Sequence, residues 1–225
     1  LLCPNGQFGT RLQGGSDSAS ERYIFTNLNP LTRQVYRPED DQVLKYLDDD
    51  GTAVEPEWYA PILPMILVNG SKGIGTGFST DVPCFNPADI VSYMRAKLAG
   101  ADTGTAKLVP YYEGFKGTIE SLGPQKFLVR GVYEVVDAKQ VRITELPVGS
   151  WTDDYKEYLE KVIEGDGKKR GAIIKDYTDM STDRLVDITI TFAPGQIAAL
   201  SGKAADNGGT ALDKLLKMQT TLSTT

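Results

Sequence analysis

The segment Val186-Asp187-Ile188-Thr189-Ile190-Thr191-Phe192 (VDITITF) alternates apolar and polar side chains at every step. Successive side chains of a strand point to opposite faces, so this period of two predicts a strand buried on one face and wet on the other. Upstream, Thr152 to Ile163 places Tyr155, Tyr158, Leu159, Val162 and Ile163 on one helical face. Gly165-Asp166-Gly167 closes that helix. Phe127 to Val136 and Lys139 to Leu146 read as neighbouring strands joined by a tight turn near Asp137-Ala138. Half-buried strands and an amphipathic helix must cover each other's apolar faces, which predicts a mixed α/β (α+β) class.

The first half is less regular. Residues 1–22 are rich in Gly, Ser and Asp and read as loop with short turns. Arg22 to Leu28 (RYIFTNL) is β-prone, and Asn29-Pro30 opens a helix to about Tyr36, which Arg37-Pro38 stops. Asn86-Pro87 opens a second helix with Ile90, Val91, Met94 and Leu98 on one face, and Gly100 ends it. Ala211 to Met218 is helix-prone.

Composition excludes several chemistries. The 225 residues suit one large domain or two modest ones, and 40% hydrophobic content supports a core. Histidine is absent, which removes the Ser-His-Asp triad, imidazole acid–base catalysis and His metal ligation from this chain. Cys3 and Cys84 form no metal or redox motif and read as free thiols. The apolar run Pro61 to Val68 is too short to span a membrane, so no membrane partner is expected. Leu1 in place of an initiator Met suggests a piece of a longer product. A net charge of −6 argues against a generic nucleic-acid binder. The acids cluster, though: Asp40-Asp41 and Asp48-Asp49-Asp50 read as solvated loops, whereas Arg11, Arg22 and Arg33 fall in the first segment.

Three motifs bear on chemistry. Gly73-x-Gly75-x-Gly77, within Asn69 to Phe78, could bring backbone N–H groups to a phosphate. Its spacing departs from the dinucleotide fingerprint, and a tight turn with close backbone packing is the simpler reading. Ile74, set between glycines, is either a buried turn residue or an apolar wedge of the kind that kinks DNA. Arg22-Tyr23 is a dipeptide in which a guanidinium could stabilise both a phenolate and a charged phosphoryl transition state. The triplet Lys168-Lys169-Arg170 reads as an exposed loop.

Three blocks in order carry a resemblance: GQFGTR (Gly6 to Arg11), GGSDSASERYIFT (Gly14 to Thr26) and EPEWYAPILPMILVNGSKGIGTGFST (Glu55 to Thr80). ELPVGSWTDDYKEYLEKVI (Glu145 to Ile163) and KLLKMQTTLST (Lys214 to Thr224) extend it over nearly the whole chain. Together they resemble type IIA DNA topoisomerases of the eukaryotic and large-DNA-virus kind, in the breakage–reunion region. Bacterial gyrase and topoisomerase IV share the arginine-tyrosine pair and a related glycine turn, but are less similar in the IFT, EPEWY and GIGTG details.

The resemblance implies a fold and roles. The fold would be the end of a winged-helix domain (1–56), a tower-type mixed sheet with helices (57–205) and the start of a coiled-coil arm (206–225). Tyr23 would attack a DNA phosphodiester to give a 5′ phosphotyrosyl link, with Arg22 steadying the scissile phosphate. Ile74 would insert between base pairs to bend the gate duplex, and Arg11, Lys72, Gly73 and Gly75 would contact DNA. The implied partners are double-stranded DNA and a second copy in a homodimer. The implied cofactors are Mg²⁺, held by an acidic domain, and ATP, held by an ATPase domain. Neither domain is among these residues, so the piece alone is expected to be inactive. The implied compartment is the nucleus, or a viral factory or virion for a viral enzyme. Glu21, Ser16 and Gly149 stand where the family commonly has proline, lysine and arginine. All three changes lower positive charge, which predicts weaker gate-DNA binding. The rival readings are a non-cleaving architectural module of the same fold and a nucleotide-binding enzyme using the glycine turn.

Overall fold

The computed structural model describes residues 1–103, 108–165 and 173–225. The chain forms two compact units, one of Leu1–Gln7, Ser20–Tyr112 and Thr225, the other of Phe8–Ala19 and Glu113–Thr224. The expected borders after residues 56 and 205 are not borders between these units: Glu57–Tyr112 belongs with the tyrosine segment. The Lys168-Lys169-Arg170 triplet lies outside the described residues.

In the first unit, β1 (Leu2–Asn5) pairs antiparallel with β2 (Phe25–Leu28), Leu2 opposite Leu28 and Asn5 opposite Phe25. β1 lies in the stretch expected as loop; what makes it a strand is a partner distant in sequence. Helix α1 (Thr32–Val35) follows Asn29, whose Oδ1 accepts from the Leu31 N–H at 2.9 Å, as a turn-starting Asn does. Strands β3 (Tyr46–Asp49) and β4 (Thr52–Pro56) form a hairpin through Asp50 and Gly51, both at positive φ, and Asp48 Oδ1 accepts the Gly51 N–H. Of the Asp48-Asp49-Asp50 cluster, expected as a solvated loop, Asp48 and Asp49 therefore end strand β3 and Asp50 alone lies in the turn, all three being exposed. After α2 (Met65–Asn69), β5 (Ser71–Gly75) and β6 (Phe78–Val82) make a second hairpin. Helix α3 (Pro87–Leu98) starts where expected, with Asn86 Oδ1 accepting the Ala88 N–H at 2.9 Å. Ile90 is buried, but Leu98 is exposed on the last turn, so the buried stripe is shorter than the sequence suggested.

The second unit holds the larger core. Its elements in order are β7 (Thr118–Gly123), β8 (Lys126–Arg130), β9 (Val132–Val135), β10 (Gln140–Glu145) and α4 (Thr152–Glu164). Then come β11 (Ile174–Asp179), β12 (Ile188–Phe192), α5 (Gln196–Ser201), α6 (Ala211–Leu215) and β13 (Gln219–Ser223). One sheet runs β11-β12-β10-β9 and another β13-β8-β7. Ile188, Ile190 and Phe192 from β12, Val141 and Ile143 from β10, and Tyr155 and Leu159 from α4 share one core. Burying each large side chain contributes about 1.5–3 kcal/mol, so the VDITITF segment anchors this unit.

Two expectations are corrected here. Phe127 to Val136 is not one strand: at Gly131 the chain leaves one sheet and enters the other, and only β9 pairs with β10. A Cβ on Gly131 would lie 2.4 Å from the Glu145 carbonyl oxygen, so the crossing point has no room for a side chain. The segment expected to open a coiled-coil arm also folds otherwise, as α6 followed by β13 paired to β8. Where the helix ends, the Tyr158 and Tyr155 hydroxyls donate to the carbonyls of Leu215 and Leu216 at 2.6 and 2.7 Å. Lys217 then turns to φ +50°. These hydroxyls satisfy two of the carbonyls that a helix C-terminus leaves unpaired.

Candidate nucleic-acid interface

Tyr23 closes a 3-10 turn (Glu21–Tyr23) that leads into β2, its N–H donating to the Ser20 carbonyl at 2.9 Å. Next, Ile24 is extended (φ −124°, ψ 149°) and turns toward Gly6, where an added Cβ would lie 2.7 Å from Ile24 Cγ2. Gly6, at φ +110°, is thus what lets the loop after β1 approach this close. With Ile24 directed inward, its neighbours Tyr23 and Phe25 are each 70% exposed. The Arg22 guanidinium carbon lies 5.5 Å from the Tyr23 ring centroid. Arg22 is exposed and has no carboxylate partner among the described residues, so its donors face outward beside the phenol.

The glycine-rich stretch is a hairpin, not a strand–turn–helix, which removes the helix N-terminus that a nucleotide site would use. Its register sets Lys72 opposite Asp81, Gly73 opposite Thr80, Ile74 opposite Ser79 and Gly75 opposite Phe78. Gly77 turns the chain at φ +79°. Ile74 is 94% exposed, which decides between the buried and the projecting reading in favour of the latter. The turn is tight, but the close packing expected around its glycines is absent. Nothing lies within 4 Å of a Cβ on Gly73, and only the Phe78 carbonyl, at 3.7 Å, approaches one on Gly75. These two glycines leave open surface beside an apolar tip. Lys72 Nζ sits 3.7 Å from the Asp81 carboxylate across the ribbon and remains largely exposed.

Arg11 departs from expectation. It belongs to the second unit, where its guanidinium donates to the Ser150 carbonyl at 2.7 Å, pairs with Glu145 at 3.4 Å and lies 5.3 Å from the Trp151 ring centroid. Its side chain is only 19% exposed, so Arg11 is an internal clamp rather than a free phosphate contact. Gly14 shares that clamp: at φ +61° it lies so close to Trp151 that a Cβ would meet the indole at 2.1 Å. Gly149 adopts φ +86°, a backbone conformation that favours glycine.

Among the described residues no group of three or more His, Cys, Asp or Glu side chains could hold a metal ion. Among them also, no helix is long and apolar enough to cross a membrane. Phe25 and the Asn5–Asn27 side-chain hydrogen bond of 2.7 Å next to it gave no signal in the sequence, because the ribbon that assembles them joins residues far apart.

A ribbon thus presents an exposed arginine-tyrosine pair, and a hairpin presents an exposed isoleucine between open glycines. The chain belongs to the DNA gyrase/topoisomerase IV family, that of the A subunit of those enzymes, which matches residues 1–225. It is 43% identical to DNA topoisomerase 2 top-2 of Caenorhabditis elegans, over all of this chain and 14% of that protein. With DNA topoisomerase 2-alpha of Gallus gallus it shares 44% identity, over 99% of this chain and 14% of the relative. A mitochondrial DNA topoisomerase 2 of Dictyostelium discoideum is also 44% identical, over 99% of this chain and 16% of its own length. The chain therefore spans only about a seventh of such curated relatives. The crystal structure of the Plasmodium falciparum topoisomerase II DNA-binding, cleavage and re-ligation domain superposes with a TM-score of 0.85 at 39% identity, covering 99% of this chain and 29% of that one.

Proposed function

We propose that the chain is part of the DNA cleavage–religation core of a type IIA topoisomerase, with Tyr23 as the nucleophile. The observation that carries this reading is the exposed Tyr23 ring beside the Arg22 guanidinium, at the position where the matching family implies the attacking tyrosine.

The chemistry is a transesterification. The Tyr23 phenolic oxygen attacks the scissile phosphorus, a P–O bond forms to tyrosine, and the bond to the 3′ oxygen breaks. The phenolic proton leaves to solvent or a base, and the departing 3′ oxygen gains one, so one phosphodiester is exchanged for another. Because bond energy is retained, attack by the 3′ hydroxyl reseals the strand. Arg22 donates hydrogen bonds to the non-bridging oxygens, where charge accumulates in the transition state. Ile74 inserts between base pairs and bends the duplex, while Lys72 and the open backbone at Gly73 and Gly75 meet the sugar–phosphate strand. Arg11 acts within its own unit, as a clamp rather than a DNA contact.

The rest follows the family reading. We assign the tyrosine ribbon to the end of a winged-helix domain and the sheets of the second unit to a tower. The working assembly is a homodimer, one tyrosine cutting each strand of double-stranded DNA. The family reading puts Mg²⁺ and ATP on parts of the assembly outside these residues; among the described residues no carboxylate cluster fits a cation. The compartment we favour is the nucleus, and the mitochondrial Dictyostelium relative marks the alternative.

The test is covalent capture. The full-length protein is incubated with labelled duplex and Mg²⁺, then quenched with detergent. An adduct that survives denaturation in wild type and disappears in Tyr23→Phe is expected. DNA that is bound and bent without any adduct would replace this reading with the architectural one.

A further inference from the structure

Phe25 sits two residues beyond Tyr23, on the other side of the inward-turned Ile24, and its ring is as exposed as that of Tyr23. A lone exposed phenylalanine is ordinary on a protein surface, but its neighbours here are not. Across the ribbon Phe25 faces Asn5, and Asn5 Nδ2 donates to Asn27 Oδ1 at 2.7 Å, which ties two amides together beside the ring. Asn27 is exposed, with its amide nitrogen free of partners among the described residues. An aromatic face next to oriented amide donors and acceptors is the surface that suits a nucleotide. Rings stack on any base, with modest sequence preferences set by stacking strength and backbone flexibility, and amides hydrogen-bond base edges or phosphate oxygens. Distance fixes which nucleotide. Two residues about an extended one span about 6.6 Å, close to two base-step rises of roughly 3.4 Å each.

We infer that Phe25, with Asn27 beside it, forms a nucleotide subsite that grips DNA within two steps of the phosphate Tyr23 attacks and so selects where cleavage falls. This rests on the cleavage reading and deepens it. Arg22 and Tyr23 carry the chemistry, and Phe25 is a positioning residue that fixes the register of the strand against them. Phe25 stacking favours sites whose flanking nucleotide can tilt toward the ring, and its loss leaves the chemistry intact but the register loose.

The experiment maps cleavage sites of the full-length protein on a duplex library randomised around the break, with Mg²⁺ and detergent quench, for wild type, Phe25→Ala, Phe25→Trp, Asn27→Ala and Tyr23→Phe. Phe25→Ala is expected to flatten base preference within two nucleotides of the scissile phosphate and to lower adduct at the strongest wild-type sites about tenfold, the loss of one stacked base. More distant preferences are expected to persist, and Phe25→Trp is expected to restore a defined map. Unchanged maps and yields in Phe25→Ala overturn the inference, as does a lowered melting temperature with an unchanged map. Should Phe25→Ala not fold, Asn27→Ala decides: a changed map near the break supports the subsite and an unchanged one overturns it. A wild-type protein giving no Tyr23-dependent adduct removes the cleavage reading itself, a result distinct from adduct with unaltered preference.

Discussion

The Arg22 guanidinium carbon stands 5.5 Å from the centroid of the Tyr23 ring, on a 3-10 turn whose side chains both face solvent. In that position one phosphate can meet both the guanidinium and the phenol. Removing a preorganised donor to a developing oxyanion costs about 10²–10³ in rate. Arg22→Ala is therefore expected to slow adduct formation by about that factor in single-turnover assays, while DNA affinity at fixed salt falls far less. Arg22→Lys is expected to recover only part of the rate, because lysine lacks the planar fork.

Arg11 has the opposite signature. Its hydrogen bond to Ser150, its partly buried pairing with Glu145 and its contact with Trp151 are internal. Arg11→Ala is expected to lower unfolding free energy by about 1–3 kcal/mol, since it strands the Ser150 carbonyl and removes the counter-charge of Glu145, whose carboxylate keeps the Leu146 and Lys116 N–H groups. Urea unfolding checks the loss; a salt titration of DNA binding is expected to keep the wild-type slope.

Ile74 can be tested without stability as a confounder. At 94% exposure it contributes nothing to the core, so Ile74→Ala is expected to change unfolding free energy by less than about 0.5 kcal/mol. Duplexes labelled at both ends are expected to bend less in energy-transfer measurements with the variant. An unaltered bend would remove the wedge role.

Stability against pH carries two limbs in the second unit. The Asp187 carboxyl is held below its ordinary range by hydrogen bonds from Arg142, at 2.8 and 2.7 Å, and Asp153 by Lys156 and Gln13. Groups with depressed values stabilise the fold above the unfolded carboxylate range and lose that contribution as pH falls through their folded values. Asp187→Asn is expected to lower the urea midpoint at neutral pH and flatten its decline in acid. Burial, followed by the hydrogen bond to Asp213, pushes the Tyr133 phenol up to about 12. Its contribution is full below the unfolded value near ~10 and lost as pH climbs toward the folded one. Tyr133→Phe is expected to flatten that alkaline loss.

Weaker gate-DNA binding than in relatives is expected from Glu21 and Ser16, both exposed. Glu21→Pro with Ser16→Lys is expected to tighten binding and steepen its salt dependence, as added phosphate contacts do. A wild-type affinity already above that of relatives would contradict this. Gly149→Arg is not expected to help, because φ +86° strains any side chain there.

What the sequence disclosed followed from local pattern. The period of two in Val186 to Phe192 and the helical spacing of Tyr155, Leu159 and Val162 both mark the core that forms, because burial repeats with the element's own geometry. The cap at Asn86 was legible from its Asn-Pro pair, whereas Asn29 only starts the turn ahead of α1, whose N-cap is Leu31. What stayed hidden depends on contacts between residues far apart. β1 is a strand only because β2 pairs with it, and Phe127 to Val136 is broken only because Gly131 meets Glu145. The helix after Thr210 ends where Tyr155 and Tyr158 cap its carbonyls and the chain pairs with β8. At the site, Arg22-Tyr23 was visible as a dipeptide, whereas the engagement of Arg11 by Ser150, Glu145 and Trp151 required the fold.

The central claim concerns one bond, and its chemistry can be read directly. The full-length protein is trapped on duplex DNA with detergent, the DNA is trimmed with nuclease, and the protease digest is sequenced by mass spectrometry. A nucleotide joined through its 5′ phosphate to the peptide at Tyr23, with 3′ hydroxyls on the released ends, is the predicted result. A nucleotide on another residue, a 3′ linkage, or no nucleotide-bearing peptide under conditions where the DNA is bound would contradict it.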